Sequence, residues 1–195
     1  HEQQARLHSQ GACDGHALAF TARELVRPAV EQAARDLYIR ALKILPPDVF
    51  QSLFKFAFVR NPWDLQVSSF HHIRRERPQY LGGHDNFADF LRWKLDPERP
   101  YQYHVDTSIE LQSDYLIDLH GQVIVDFIGR YERLDDDFAE ACRRIGIPAP
   151  VLPHRRQATD RGRDYRSYYD DATAALVAER FQADIALLGY RFDPD

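Results

Sequence analysis

The sequence predicts an α/β fold, a central and mainly parallel sheet flanked by helices. Three observations lead there. Phe56, Ala57, Phe58 and Val59 form a short apolar run suited to a buried central strand. Arg60 ends that run, and Asn61-Pro62 follows as a helix start: Asn is a good N-cap, and Pro suits the first helical position, where no N–H is needed. A second run, Val123 to Ile128, is apolar enough to be central, and a helical pattern follows it in turn. With 195 residues, 44% of them hydrophobic and 12% aromatic, residues 1–195 fit a single domain with an ordinary core.

In chain order, residues 1–19 are polar and weakly patterned, a loop with Gly11 and Gly15 as breakers. Thr21 and Glu24 form a capping box for a helix whose apolar face runs from Leu25 to Leu42, with Pro28 kinking it or moving its start. Pro46 and Pro47 stop it, and Asp48 is expected to cap a short helix reaching Phe54. After the first strand, the helix from Pro62 carries Trp63, Val67 and Phe70 at core spacing. His71, His72, Arg74, Arg75 and Arg77 close it, either as contacts to an anionic acceptor or as a solvated C-terminus favoured by the dipole. Asp85 or Asn86 caps the next helix, with Phe87, Phe90 and Leu91 inward. Residues 99–113 are irregular, a loop able to line an acceptor cleft.

Tyr115–Asp118 and Val123–Ile128 flank His120-Gly121 and read as a hairpin. Asp135 opens a helix with Phe138, Ala141, Cys142 and Ile145 buried, and Gly146 stops it. Residues 152–171 are a loop rich in Arg and Tyr. Asp170 or Asp171 caps a final helix running to Leu188, with Tyr190 and Phe192 packed as a tail.

The net charge of −5 argues against general nucleic-acid binding, which needs a basic surface. Three of the 25 basic residues are lysines, and the arginines suit bidentate contact with phosphate or sulfate. The same Arg and Ala excess is what a GC-rich bacterial genome produces. No run approaches the ~20 apolar residues that span a bilayer, and no signal peptide is visible. Cys13 and Cys142 give neither a disulfide framework nor a metal-ligand spacing, so an intracellular, cytoplasmic setting is expected without a metal. No feature specifies an oligomeric state.

Ser68 lies eight residues after Arg60, about two helical turns. A strand end, a cation and a helix N-terminus arriving together make an anion site, because free N–H groups and the dipole favour a phosphate. The segment R-N-P-W-D-L-Q-V-S-S-F, residues 60–70, resembles the 3′-phosphate-binding segment of sulfotransferases that use 3′-phosphoadenosine 5′-phosphosulfate (PAPS). It is closest to the carbohydrate-sulfotransferase-like branch, R-[DN]-P-x-x-R-x-V-S-x-[YF], with Leu65 replacing the usual Arg. Gly129, Arg130, Tyr131, Glu132, Leu134, Asp137 and Phe138 match that family's G-R-[FY]-E-x-L-x-x-D-F. Residues 152–169 resemble its L-P-H-x-N-x-S…Y-x-x-Y-Y segment, with Gln157 and Thr159 replacing Asn and Ser.

The resemblance implies a P-loop-NTPase-like sulfotransferase fold and transfer of a sulfuryl group from PAPS to an acceptor hydroxyl on a small molecule or carbohydrate. It implies that Arg60 and Ser68 hold the 3′-phosphate, that Arg155, Arg161 or Arg163 reaches a phosphate, and that a tyrosine such as Tyr165 packs on adenine. His16, before T-A-R-E-L, is the implied general base, since an imidazole can take a hydroxyl proton at neutral pH. A surface-loop histidine is the competing reading. The family's K-T-G-G-T-S type loop for the 5′-phosphosulfate has no counterpart in residues 1–195. The sequence also lacks methionine, so an N-terminal strand and phosphate loop are expected to be missing. A nucleotide-binding protein without transfer activity and a phosphotransferase of the broader P-loop class are the rivals.

Overall fold

A computed structural model describes residues 45–99, 107–118, 120–152 and 164–193. The first described element is α1, Pro47–Ser52. Pro47, which has no N–H to satisfy, takes the first helical position, so Asp48 lies inside the first turn and does not cap. Ser52 Oγ donates to the Val49 carbonyl at 2.8 Å, and Leu53 turns extended, ending the helix before Phe54.

The strand β1, Phe56–Val59, leads into α2, Pro62–Glu76, and then α3, Phe87–Lys94. After the expected second run comes β2, Phe127–Arg130, then α4, Leu134–Ile145. The chain closes with α5, Asp171–Arg180, and α6, Gln182–Leu188. β1 and β2 pair in parallel, with Phe56 opposite Phe127 and Val59 opposite Arg130. Lys55 fixes where that ladder begins. Its N–H donates to Asp126 Oδ2 at 2.7 Å, its ammonium lies 3.0 Å from the same oxygen, and its carbonyl accepts from Asp126 N–H. The small parallel sheet with helices packed on it is the α/β arrangement expected.

The expected hairpin shrinks to one antiparallel bridge, Ile117 with Val123. The physical reason is that the second half of the apolar run is claimed by β1: Phe127 and Ile128 serve the parallel ladder and cannot also pair backward. Gly129 lies where two strands meet with no room for a side chain. A Cβ there would come within 2.4 Å of Phe58 Cε1 and 2.7 Å of Cδ1. Gly129→Val should therefore destabilise the protein by about 2 kcal/mol through overpacking, seen as a lower urea midpoint at unchanged slope.

The core gathers Val59, Trp63, Val67, Phe70 and Ile73 with Phe87, Phe90, Leu91, Leu116, Val177, Phe181 and Leu188. Spacings of four and three along α2 place its four residues on one face. Asn86 Oδ1 caps α3 by accepting from Asp89 N–H at 2.9 Å, and Asp170 and Thr173 form a reciprocal capping box on α5. Gly146 and Gly189 end α4 and α6 in left-handed conformation, as C-terminal stops do. Cys142 is 2% exposed, a core residue.

The final helix is broken where a single helix was expected. Phe181, fully buried, leaves the helical region at φ −108° and ψ 26°. The break turns α6 so that the buried Asp184 accepts from the N–H groups of Gln112, at 2.9 Å, and Ser113, at 2.7 Å. These open a short 3-10 segment, Gln112–Tyr115.

Candidate anion site at the β1–α2 junction

The site begins with how Arg60 is held. Its N–H donates to Gln112 Oε1 and its carbonyl accepts from Gln112 Nε2, each at 2.8 Å. Asn61 then turns the chain. Its Oδ1 accepts from the N–H groups of Trp63, at 3.0 Å, and Asp64, at 3.4 Å. Its own N–H donates to Glu132 Oε1 at 2.6 Å, and its Nδ2 donates to Tyr165 Oη and the Arg191 carbonyl. Glu132 Oε2 accepts from Tyr190 Oη at 3.1 Å. Burial first, then the Glu132 charge, pushes the Tyr190 hydroxyl well above its ordinary value, so it stays a donor.

This accounting corrects one expectation. Pro62 has no N–H, Trp63 and Asp64 donate to the cap, and Leu65 donates to the Asn61 carbonyl at 2.9 Å. The helix terminus offers no spare N–H to an anion in this state. Anion binding falls to side chains, with the dipole as background.

Arg60 supplies them. Its Nη1 donates to Ser68 Oγ at 3.0 Å, joining two residues eight apart. Its Nε donates to Asp64 Oδ2 at 2.5 Å, an ion pair of side chains largely withdrawn from solvent. Its Cζ lies 4.0 Å above the Tyr131 ring. Burial, the largest influence, pulls the guanidinium below its ordinary value, while Tyr131, Glu132 and Tyr190 hold it up. A desolvated cation whose hydrogen bonds go to one carboxylate and one hydroxyl is suited to an entering anion.

Tyr165 lies beside this junction, in a 3-10 turn of Tyr165–Tyr168. Its hydroxyl donates to the Phe192 carbonyl at 2.5 Å, and its ring meets Phe192 edge-on at 5.9 Å. The structure thus brings Tyr165 to the N-cap of α2, next in sequence to Arg60, whose guanidinium reaches Ser68 two turns along the helix. His16, Arg155, Arg161 and Arg163 lie outside the described residues. His71 was a candidate acceptor contact. It is instead 2% exposed, bonded to Tyr168 Oη at 2.9 Å, because its position on α2 faces the core. Arg74 covers the Phe70 ring and Arg75 pairs with Glu76.

Sequence reasoning missed Asp64, Tyr131 and Gln112. The Arg60–Asp64 pair had a signal, its four-residue spacing. Tyr131 and Gln112 reach Arg60 only through tertiary register: Val59 opposite Arg130 sets Tyr131 beside Arg60. No group of three potential metal ligands occurs among the described residues, and no described helix is long and apolar enough to cross a membrane.

The model of the sulfotransferase family matches residues 23–191. The chain belongs to the sulfotransferase family. Two curated relatives place it further. An uncharacterized protein of Archaeoglobus fulgidus is 32% identical over 114 residues, covering 57% of this chain and 83% of that protein. Carbohydrate sulfotransferase 14 of Danio rerio is 29% identical over 144 residues, covering 60% of this chain but 37% of that enzyme. The family is therefore carbohydrate-sulfotransferase-like, and its members are transferases. No solved structure matches the chain. Within this sulfotransferase-family chain, the Arg60–Ser68 junction lies inside the matched region, as do Tyr131 and Tyr165.

Proposed function

We propose that the protein transfers a sulfuryl group from PAPS to an acceptor hydroxyl, on a carbohydrate or another small molecule, with Arg60 and Ser68 holding the donor's 3′-phosphate. The observation that carries this reading is the 3.0 Å approach of Arg60 Nη1 to Ser68 Oγ at the mouth of α2. One group is a permanent cation and the other a hydroxyl that can turn to donate, so both can point at one phosphate. The Tyr131 ring keeps the guanidinium from leaving its place.

The chemistry is an in-line displacement. The acceptor oxygen bonds to sulfur as the bond from sulfur to the phosphate oxygen breaks. The acceptor proton passes to a base, for which His16 is proposed. Arg60 and Ser68 take no part in bond making; they fix the nucleotide so that the sulfur is presented in one orientation. Arg161 and Arg163 are proposed as further phosphate contacts. Tyr165 supports Asn61 and flanks the base of the nucleotide. The P-loop-like relationship of the fold, the single domain over residues 1–195 and a cytoplasmic location belong to the same proposal. Contacts to the 5′-phosphosulfate are assigned to no residue here.

Calorimetric titration tests this reading. The protein should bind 3′-phosphoadenosine 5′-phosphate at least about tenfold more tightly than adenosine 5′-phosphate, the least expected from one charge-assisted hydrogen bond. Equal affinity for the two would sink the 3′-phosphate assignment. Preference for ATP with a Mg²⁺ requirement would move the protein to the phosphotransferases.

A further inference from the structure

Asp64 and Ser68 stand four residues apart on one face of α2, and Arg60, just ahead of the N-cap Asn61, reaches back to both. Asp64 holds Arg60 more closely than Ser68 does, at 2.5 Å against 3.0 Å. The two ion-paired side chains are 13% and 14% exposed, too far withdrawn for solvent to screen the pair fully. An anion entering between Arg60 and Ser68 must therefore come close to the Asp64 carboxylate. Nothing in the proposed transfer requires a negative charge there.

The carboxylate does two separable things. As a hydrogen-bond acceptor it takes Arg60 Nε, which turns the other edge of the guanidinium toward Ser68. As a charge it cancels that of Arg60 and repels any second anion. An amide in its place keeps the first effect and loses the second.

We infer that Asp64 is the selectivity and positioning residue of this site: it neutralises Arg60 so that an anion is admitted by the fit of its oxygens to Arg60 and Ser68, not by its charge alone. The inference rests on the reading that Arg60 and Ser68 bind a 3′-phosphate. Small anions such as sulfate, drawn mainly by charge, gain little at a neutralised guanidinium. A nucleotide anchored elsewhere, with its 3′-phosphate held in register, can still displace the internal partner.

The test compares wild type, Asp64→Asn and Asp64→Ala by calorimetry with 3′-phosphoadenosine 5′-phosphate and adenosine 5′-phosphate, with inorganic sulfate as competitor. In Asp64→Asn the 3′-phosphorylated ligand should bind about tenfold tighter, and sulfate should compete at about tenfold lower concentration, as loss of one near charge implies. Adenosine 5′-phosphate should be unaffected, which a merely structural role would not produce. Asp64→Ala, lacking the acceptor for Nε, should bind the 3′-phosphorylated ligand more weakly than Asp64→Asn.

If wild type prefers the 3′-phosphate but Asp64→Asn binds it no tighter, the inference is wrong and the site assignment stands. If wild type shows no preference, both fall. Thermal melts establish that each variant is folded. Should Asp64→Asn fail to fold, the wild type still decides. With Arg60 neutralised, its preference for the 3′-phosphate should change less than about threefold between low and physiological salt, and a steep loss would overturn the inference.

Discussion

Arg60→Ala should remove the preference for a 3′-phosphorylated nucleotide, weakening it by about 100-fold, while adenosine 5′-phosphate binds as before. The size follows from losing a charge-assisted contact of roughly 3 kcal/mol. Two effects add to the loss. The Asp64 carboxylate, 2.5 Å from Arg60 Nε in the native protein, loses the guanidinium that neutralises it and repels the incoming phosphate. Ser68 loses the group that donates to it. Arg60→Lys should restore only part of the affinity. An ammonium cannot bond Asp64 and Ser68 from two edges of one plane, nor stack flat on Tyr131. Titration of both variants with the two nucleotides checks this. A preference surviving in Arg60→Ala would move the phosphate site elsewhere.

Asp184→Ala should cost about 3 kcal/mol of stability, the penalty for leaving one buried and one half-buried backbone donor without an acceptor. Asp184 has no exposed surface, and its two oxygens accept separately from Gln112 and Ser113. Asp184→Asn keeps one oxygen acceptor and should lose about half as much. Urea unfolding measures both. The effect should also reach the nucleotide, because the segment Asp184 caps begins at Gln112, whose side chain holds the Arg60 backbone. A folded Asp184→Asn protein should therefore bind the 3′-phosphorylated ligand several-fold more weakly. If its binding is unchanged, Gln112 keeps its place without Asp184, and the link is broken.

What could be read from the residues was what local chemistry decides. Asn61 before Pro62, Asn86, Asp170 and the stops at Gly146 and Gly189 act within a few residues of where they stand. The apolar run at Phe56–Val59 marks a strand whatever its partner. What could not be read was partnership. Val123–Ile128 is equally apolar as the arm of a hairpin or as a parallel strand, and the contest is settled by β1, some seventy residues upstream. The break at Phe181 carries no Gly or Pro; it comes with the contacts of Asp184 to a distant turn. The same holds at the site. Arg60 and Ser68 lie eight residues apart in one segment and were legible, whereas Tyr131 and Gln112 reach Arg60 across the fold.

The amide of Gln112 presents the same donor and acceptor pair as a peptide group. By taking both the N–H and the carbonyl of Arg60, it supplies one rung of a ladder without a strand behind it. An exposed run of backbone is a template for any passing strand, and sheets are safe where that template is already filled. Position 60 is filled by a side chain that cannot propagate the ladder. The residue whose side chain is proposed to meet a ligand has its backbone closed in this way to another polypeptide.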